Sequence, residues 1–101
     1  SWSFLCKNPY AIHIIERYPS SIKYEQLANN TNERAIEMIK SHLSIHTLSR
    51  DYRNRILKNL IENESSGWLV LELFEKGEFE HLDYKYTYNI LTKPYIFCPD
   101  M

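Results

Sequence analysis

The chain of 101 residues is the size of one domain, with 44% apolar residues, 25% charged residues and a formal net charge of −1. A chain of this length buries roughly two thirds of its unfolded surface, which is enough for a core without disulfides or metals. No apolar run approaches the ~18 residues of a membrane-spanning helix, and the near-neutral charge gives no general attraction to nucleic acids or membranes. Two glycines in the whole chain disfavour a sandwich, a barrel or a phosphate-binding loop, and favour a helical module.

The first clear helix signal begins at Asn8. Asn8 and Pro9 are residue types favoured at an N-cap and at the first helical position, and Ile12 and Ile15 recur at helical spacing. Pro19 cannot continue a helix and directs the residue before it towards extended geometry. We therefore predict a helix that Asn8 caps and that ends before Pro19.

Two longer amphipathic stretches follow. Thr31 or Asn32 is placed to cap the first of them, and Ser49 to cap the second. Apolar residues recur at helical spacing in both stretches: Ala35, Ile36, Ile39 and Leu43 in the first, and Tyr52, Ile56, Leu57, Leu60 and Ile61 in the second. Each stretch is therefore predicted to be a helix with one apolar face.

The last third of the chain is less regular. The run at 68–74 is apolar nearly all round, so periodicity does not distinguish a buried helix from a buried strand. A preceding serine and Gly77, placed like a C′ residue, favour a helix. Residues 84–88 alternate with period 2 and contain three tyrosines, which favour strands. We therefore predict an extended segment near 84–88 that leads into a short helix at 87–92.

The chain is also self-similar. An aromatic residue or leucine, a leucine three positions later and an asparagine three further on occur at Trp2-Leu5-Asn8, Tyr24-Leu27-Asn30 and Leu57-Leu60-Asn63, and Tyr88 and Leu91 begin a fourth copy without the asparagine. An apolar helix follows each complete copy. Such a unit cannot bury its apolar face alone, so units must stack. We predict units near 2–23, 24–56, 57–87 and 88–101, with Asn8, Asn30 and Asn63 as helix caps.

The first copy is the most regular. Residues 2–30 closely follow the pattern Trp-x-x-Leu-x-x-Asn-Pro-x-Ala-Ile-x-Leu-Leu-Glu, then an isoleucine before the next aromatic residue. This segment resembles a short tandem repeat in proteins of large DNA viruses of amoebae and algae, and residues 31–101 follow the pattern only in outline. The resemblance implies a helical repeat protein of viral origin, an interaction scaffold in a family that is not associated with a catalytic motif.

No set of residues marks an active site. His42 and His46 share a helix face but have no third metal ligand nearby in sequence, so we expect them to be solvated or capping residues. The seven acids within 62–83 are more typical of a solvated face than of an acid–base pair. We therefore predict no enzymatic activity, no metal, no cofactor and no small-molecule substrate.

The two cysteines indicate a reducing compartment. Cys6 and Cys98 lie near opposite ends of the chain and do not form a disulfide framework. We expect two free thiols, with a bridge between them as the alternative. With no basic stretch followed by an apolar stretch near residue 1, an intracellular location is predicted, either the host cytoplasm or the virion if the chain is viral.

Charge is unevenly distributed along the chain. Residues 1–58 contain nine basic and five acidic side chains, whereas residues 59–101 contain three basic and eight acidic ones. Such a dipole favours head-to-tail packing against a partner or another copy. A basic stripe on one predicted helix is a candidate contact for phosphate or an acidic partner: Arg50, Arg53, Arg55 and Lys58. Without a groove-reading motif, nucleic acid is the less favoured partner.

Aromatic residues are concentrated late in the chain. Two interpretations of this cluster remain open. It is predicted to cover the open end of the stack, and the alternative is an interface, because tyrosine is enriched at interfaces. The candidate interface residues are Tyr84, Tyr86, Tyr88, Tyr95 and Phe97.

These observations predict an all-α, solenoid-like stack of short helix–turn–helix units. The predicted function is protein–protein interaction or structural scaffolding, as in a minor component of a virus particle. The predicted interaction is with a protein partner or with another copy of the chain. The alternative is a nucleic-acid-binding helical module that uses the basic helix at 50–58. No membrane association is predicted.

Overall fold

The computed structural model describes residues 1–93. They contain seven α-helices and two short 3-10 helices, and no strand occurs within this range. The α-helices are α1 (Trp2–Lys7), α2 (Ile12–Ile15), α3 (Tyr24–Leu27), α4 (Glu33–Leu43), α5 (Arg50–Glu62), α6 (Gly67–Glu75) and α7 (Tyr84–Thr92), and the 3-10 helices are Pro19–Ser21 and Glu64–Ser66. The predicted all-α class is confirmed for this part of the chain. Tyr95, Phe97 and Cys98 lie outside the described residues.

The helices form two rows. α1, α3, α5 and α7 contact one another in that order. α4 contacts α3, and the ion pairs Arg34–Glu16 and Lys40–Glu72 connect α4 to the end of α2 and to α6. The shortest extent of the molecule is 19 Å, which corresponds to two layers of helices of about 10 Å diameter.

The core lies between these rows. Its fully buried large residues are Ile15, Leu27, Ile36, Ile39, Ile56, Leu57, Leu60, Ile61, Leu69, Val70 and Ile90. More than half of them belong to α4 and α5, whose predicted apolar faces are therefore the centre of the fold.

Most of the longer helices begin and end as predicted. The Asn32 side chain accepts a hydrogen bond from the Arg34 amide at 2.9 Å, and the Ser49 hydroxyl accepts one from the Tyr52 amide at 3.2 Å. The run at 68–74 is helix α6. It ends at Glu75, and Gly77 follows at the C′ position with a φ of +76°, the left-handed conformation that glycine adopts most readily after a helix.

The helix predicted to begin at Asn8 is shorter than expected. α2 spans only Ile12–Ile15, its N-cap is Ala11, and Asn8 is instead the C-cap of α1. Asn30 lies two residues before Asn32, the N-cap of α4, so the N-cap predictions at Asn8 and Asn30 are wrong. Their side-chain oxygens bond to the amide two residues later and close the turn between helices, before the next helix starts. Asn63 is the N-cap of the 3-10 helix Glu64–Ser66.

The extended segment predicted near 84–88 is also wrong, because these residues form the first half of α7. The Asp83 side chain accepts a hydrogen bond from the Lys85 amide and caps the helix. Tyr86 is half-buried and Ile90 fully buried, at the i, i+4 spacing of one helix face. Packing against α5 thus outweighs the strand preference of tyrosine and threonine, which is weak and depends on context.

Candidate interaction site

The three asparagines of the repeated pattern lie at the corners between the two rows. The Asn30 amide nitrogen donates to the backbone carbonyls of Cys6 and Asn8, both at 3.0 Å. The Asn63 amide nitrogen donates to the carbonyls of Ala28 and Asn30, at 2.9 and 2.7 Å. In both cases the acceptors are the asparagine of the preceding copy and the residue two positions before it. Each carboxamide therefore connects one copy of the pattern to the copy before it.

These carboxamides satisfy backbone groups that a helix leaves without partners. The last carbonyls of a helix have no intrahelical donor, and Asn30 and Asn63 supply donors to the C-terminal ends of α1 and α3. Asn30 is 0% and Asn63 5% exposed, so water does not replace these bonds. Asn8 is exposed, and its amide nitrogen has no partner among residues 1–93.

A groove of about 850 Å³ runs across α4. Half-buried Ile22 and Met38 and exposed Ile45 and Trp68 give it apolar patches. Charged and polar side chains surround these patches: Glu16, Arg34, Glu37, Lys40, Ser41 and His42. Apolar contacts enclosed by a polar rim are the usual composition of a protein–protein contact surface.

Ion pairs orient the charged side chains of the groove. Arg34 pairs with Glu16 and, at 3.1 Å, with Glu37. Hydrogen bonds to these two carboxylates raise the pKa of the Arg34 guanidinium above its ordinary value. Both pairs are partly exposed, and exposed ion pairs contribute little to stability.

Trp68 is held at the edge of the groove. Its indole nitrogen donates to Glu33 Oε2 at 3.1 Å, and the Lys40 ammonium lies 5.6 Å from its ring. Lys40 is in turn paired with Glu72 Oε1 at 3.1 Å. Trp68 is 38% exposed, so these contacts fix its orientation while part of the ring remains accessible to solvent.

His42, predicted to be a solvated or capping residue, is half-buried and packs between two tyrosines. Its ring stacks on Tyr24 with centroids 3.6 Å apart and planes 2° from parallel, and its Nε2 lies 3.0 Å from the Tyr52 hydroxyl. Burial lowers the pKa of His42 and raises the pKa of both tyrosines. This environment was not predicted from the sequence, although Met38 and His42 are four residues apart and therefore share one face of α4.

This environment predicts a pH dependence of stability. Since the pKa of folded His42 lies below the ordinary value of 6.5, the unfolded chain takes up a proton first as the pH falls. Stability is therefore full above about pH 6.5 and declines as the pH falls towards the lower, folded pKa. The free energy of unfolding in urea, measured between pH 7.5 and 5, should show this decline in the wild type and in the control variant His46→Gln, because His46 is exposed. The decline should be smaller in His42→Gln. Equal slopes in all three proteins would contradict the assignment.

The predicted basic stripe is largely engaged within the molecule. Arg53 donates to the Leu43 carbonyl and pairs with Glu78 at 3.0 Å, and Arg55 pairs with Glu25 at 2.8 Å. The Lys58 ammonium lies 5.1 Å from the centre of the Tyr86 ring. Arg50 is exposed and has no ion pair among the described residues. The four cations therefore do not form one free basic surface.

The candidate aromatic interface divides between two faces of α7. Tyr84 and Tyr88 are 81% and 60% exposed and share the outer face with Leu91, which is 58% exposed. Tyr86 lies on the opposite face and packs towards the core. Phe79, in the loop before α7, is buried.

Possible metal ligands do not cluster within residues 1–93. No group of three or more histidine, cysteine, aspartate or glutamate side chains there is arranged to hold a metal ion. The acids at 62–83 are dispersed, and three of them, Glu62, Glu72 and Glu78, pair with cations on different elements. Cys6 is a buried free thiol, as predicted.

Every helix within residues 1–93 is too short or too polar to span a bilayer. Comparisons of the chain with protein-family models, with curated proteins and with solved structures found no match.

Proposed function

We propose that the chain is a non-enzymatic protein–protein interaction module, a stack of short helical units whose groove across α4 binds an extended segment of a partner protein. The observation that carries this proposal is the groove itself, where exposed Trp68 and Ile45 and half-buried Met38 lie between oriented charges. Tryptophan in such a setting is among the residues that most often dominate binding energy.

The asparagine hydrogen bonds support a scaffold role. Buried bonds from Asn30 and Asn63 to the preceding helix ends keep neighbouring units in one relative position. A groove that extends over several units therefore keeps its shape before a partner arrives, which lowers the entropic cost of binding. The resemblance of residues 2–30 to a viral tandem repeat agrees with this role, and we extend the proposal to a minor structural protein of a virus.

Nucleic-acid binding through α5 is less well supported. Arg53 and Arg55 are already paired with carboxylates, and phosphate contacts would have to displace those pairs. Non-specific nucleic-acid binding depends on several free cations acting together. We therefore retain protein partners as the proposed ligands.

Selection from a displayed random peptide library for binding to the purified chain tests the groove. We expect enriched peptides whose affinity falls at least tenfold in Trp68→Ala and Ile45→Asp, because both substitutions remove exposed apolar surface from the groove. The matched control is Phe4→Ala, which removes an exposed aromatic ring from α1, outside the groove. Peptides that bind all three variants equally, or a library without enrichment, would overturn the proposal.

A further inference from the structure

We propose that the partner segment bound in the groove across α4 is basic, with lysine or arginine side chains beside its apolar anchors. This inference rests on the proposed function and deepens it, because it names the chemistry of the partner. It is carried by the charges along α4. Carboxylates outnumber cations in the N-terminal half of this helix, and the cation of the C-terminal half is already paired.

The N-terminal half of α4 has an excess of negative charge. Arg34 faces two carboxylates, those of Glu16 and, at 3.1 Å, Glu37. A third carboxylate, that of Glu33, lies at the edge of the groove and accepts a hydrogen bond from the neutral indole of Trp68. Glu33 has no ion pair among residues 1–93. Three carboxylates therefore share one guanidinium, and two negative charges are left without a counterion.

These carboxylates are accessible to a partner. The Glu37 side chain is 58% and the Glu16 side chain 38% exposed, and Glu33 is also exposed. In each of the three, only one carboxylate oxygen has a hydrogen-bond partner within residues 1–93. A partner's ammonium or guanidinium group can therefore bind the other oxygens without displacing Arg34 or the Trp68 indole.

The cation in the C-terminal half of α4 is not available to an acidic partner. Lys40 pairs with Glu72 Oε1 at 3.1 Å and lies 5.6 Å from the centre of the Trp68 ring. Glu72 Oε2 is buried without a hydrogen-bond partner among the described residues, so loss of Lys40 would leave this carboxylate without compensation. His42 adds no positive charge at neutral pH, because burial lowers its pKa.

Two other cations follow lining residues directly in the sequence but do not line the groove. They are Arg17 and Lys23, and Lys23 lines a separate cleft of about 250 Å³ between α1, α3 and α5. The groove therefore combines the apolar patches of Met38, Ile45 and Trp68 with an excess of carboxylates. Complementary charge favours the encounter with a basic segment and disfavours an acidic one.

The amino-acid composition and affinity of selected peptides test the inference. Peptides selected from an unbiased random library on the purified chain at low salt should contain more lysine and arginine than the unselected library. Their affinity should fall about fivefold or more in the double variant Glu33→Gln/Glu37→Gln, because two ion pairs with the peptide are lost. This variant removes two charges but keeps oxygen acceptors for Trp68 and Arg34.

The matched control is Glu75→Gln/Glu80→Gln, which removes two exposed carboxylates outside the groove and should bind the peptides like the wild type. Circular dichroism should show both double variants to be folded. Raising the salt concentration should weaken binding to the wild type more than binding to Glu33→Gln/Glu37→Gln, since screening acts on the charges that this variant lacks.

The outcomes separate a wrong partner class from a wrong binding site. Neutral or acidic peptides that still require Trp68 would overturn the inference and leave the proposed groove in place. Basic peptides that bind both double variants equally would overturn it as well. Peptides that bind Trp68→Ala as tightly as the wild type would overturn both the inference and the proposed function.

Discussion

Replacing Asn63 with alanine is expected to lower the free energy of unfolding by about 3 kcal/mol, since each buried polar group left without a partner costs about 1–3 kcal/mol. The substitution removes both donors to the carbonyls of Ala28 and Asn30 and the acceptor for the Ser65 amide. With Asn63 only 5% exposed, water has little access to the two carbonyls. Urea unfolding followed by circular dichroism measures the loss.

Asn63→Asp separates the two roles of this side chain. The carboxylate keeps an acceptor for the Ser65 amide but has no donor for the two carbonyls, and it places a charge in a buried site. At neutral pH we expect a loss at least as large as in the alanine variant. Wild-type stability of Asn63→Asp would show that capping, and not the bonds to the preceding copy, is what the asparagine supplies.

Replacing Leu60 with alanine is expected to cost about 3 kcal/mol, within the range of 2–5 kcal/mol for buried leucine-to-alanine changes. Leu60 is fully buried on α5, which contacts both α3 and α7. The substitution therefore leaves a cavity in the centre of the row formed by α1, α3, α5 and α7. Residues of α3 and α7 would have to move to fill it. The midpoint of thermal or urea unfolding reports the loss.

Leu5→Ala is the matched control for this prediction. Leu5 occupies the same position of the repeated pattern but is only half-buried, so less apolar surface is lost and the site opens towards solvent. We expect a clearly smaller change in the free energy of unfolding than for Leu60→Ala. Equal changes in the free energy of unfolding for Leu5→Ala and Leu60→Ala would contradict the difference in burial between these two positions of the pattern.

The sequence predicts the central helices well because several local signals agree there. α4 and α5 combine a good capping residue, Asn32 or Ser49, with apolar residues at helical spacing. α6 begins near serines and ends at a glycine with positive φ. The prediction of an extended segment at 84–88 is wrong because the strand preference of these residues does not take account of the packing of α7 on α5.

Less of the candidate site could be predicted from the sequence. The repeated pattern identifies Asn8, Asn30 and Asn63, but it predicts only helix capping for them and not the hydrogen bonds to distant carbonyls. The bonds of Asn30 and Asn63 to a preceding copy span more than 20 residues and depend on how the units pack. The His42–Tyr24 stack and the groove across α4 likewise join residues from separate helices, so no spacing within one segment predicts them.

The central claim is that the Asn30 and Asn63 carboxamides hold the helix ends at the preceding copy of the sequence pattern, and the free energies of unfolding of Asn8→Ala, Asn30→Ala and Asn63→Ala test it most directly. At concentrations where the wild type is monomeric, losses of about 3 kcal/mol are predicted for the two buried asparagines. Asn8→Ala should cost clearly less, because it removes only the exposed bond from the Tyr10 amide and the Asn8 amide nitrogen has no acceptor within residues 1–93. Small and similar changes in all three variants would contradict the claim.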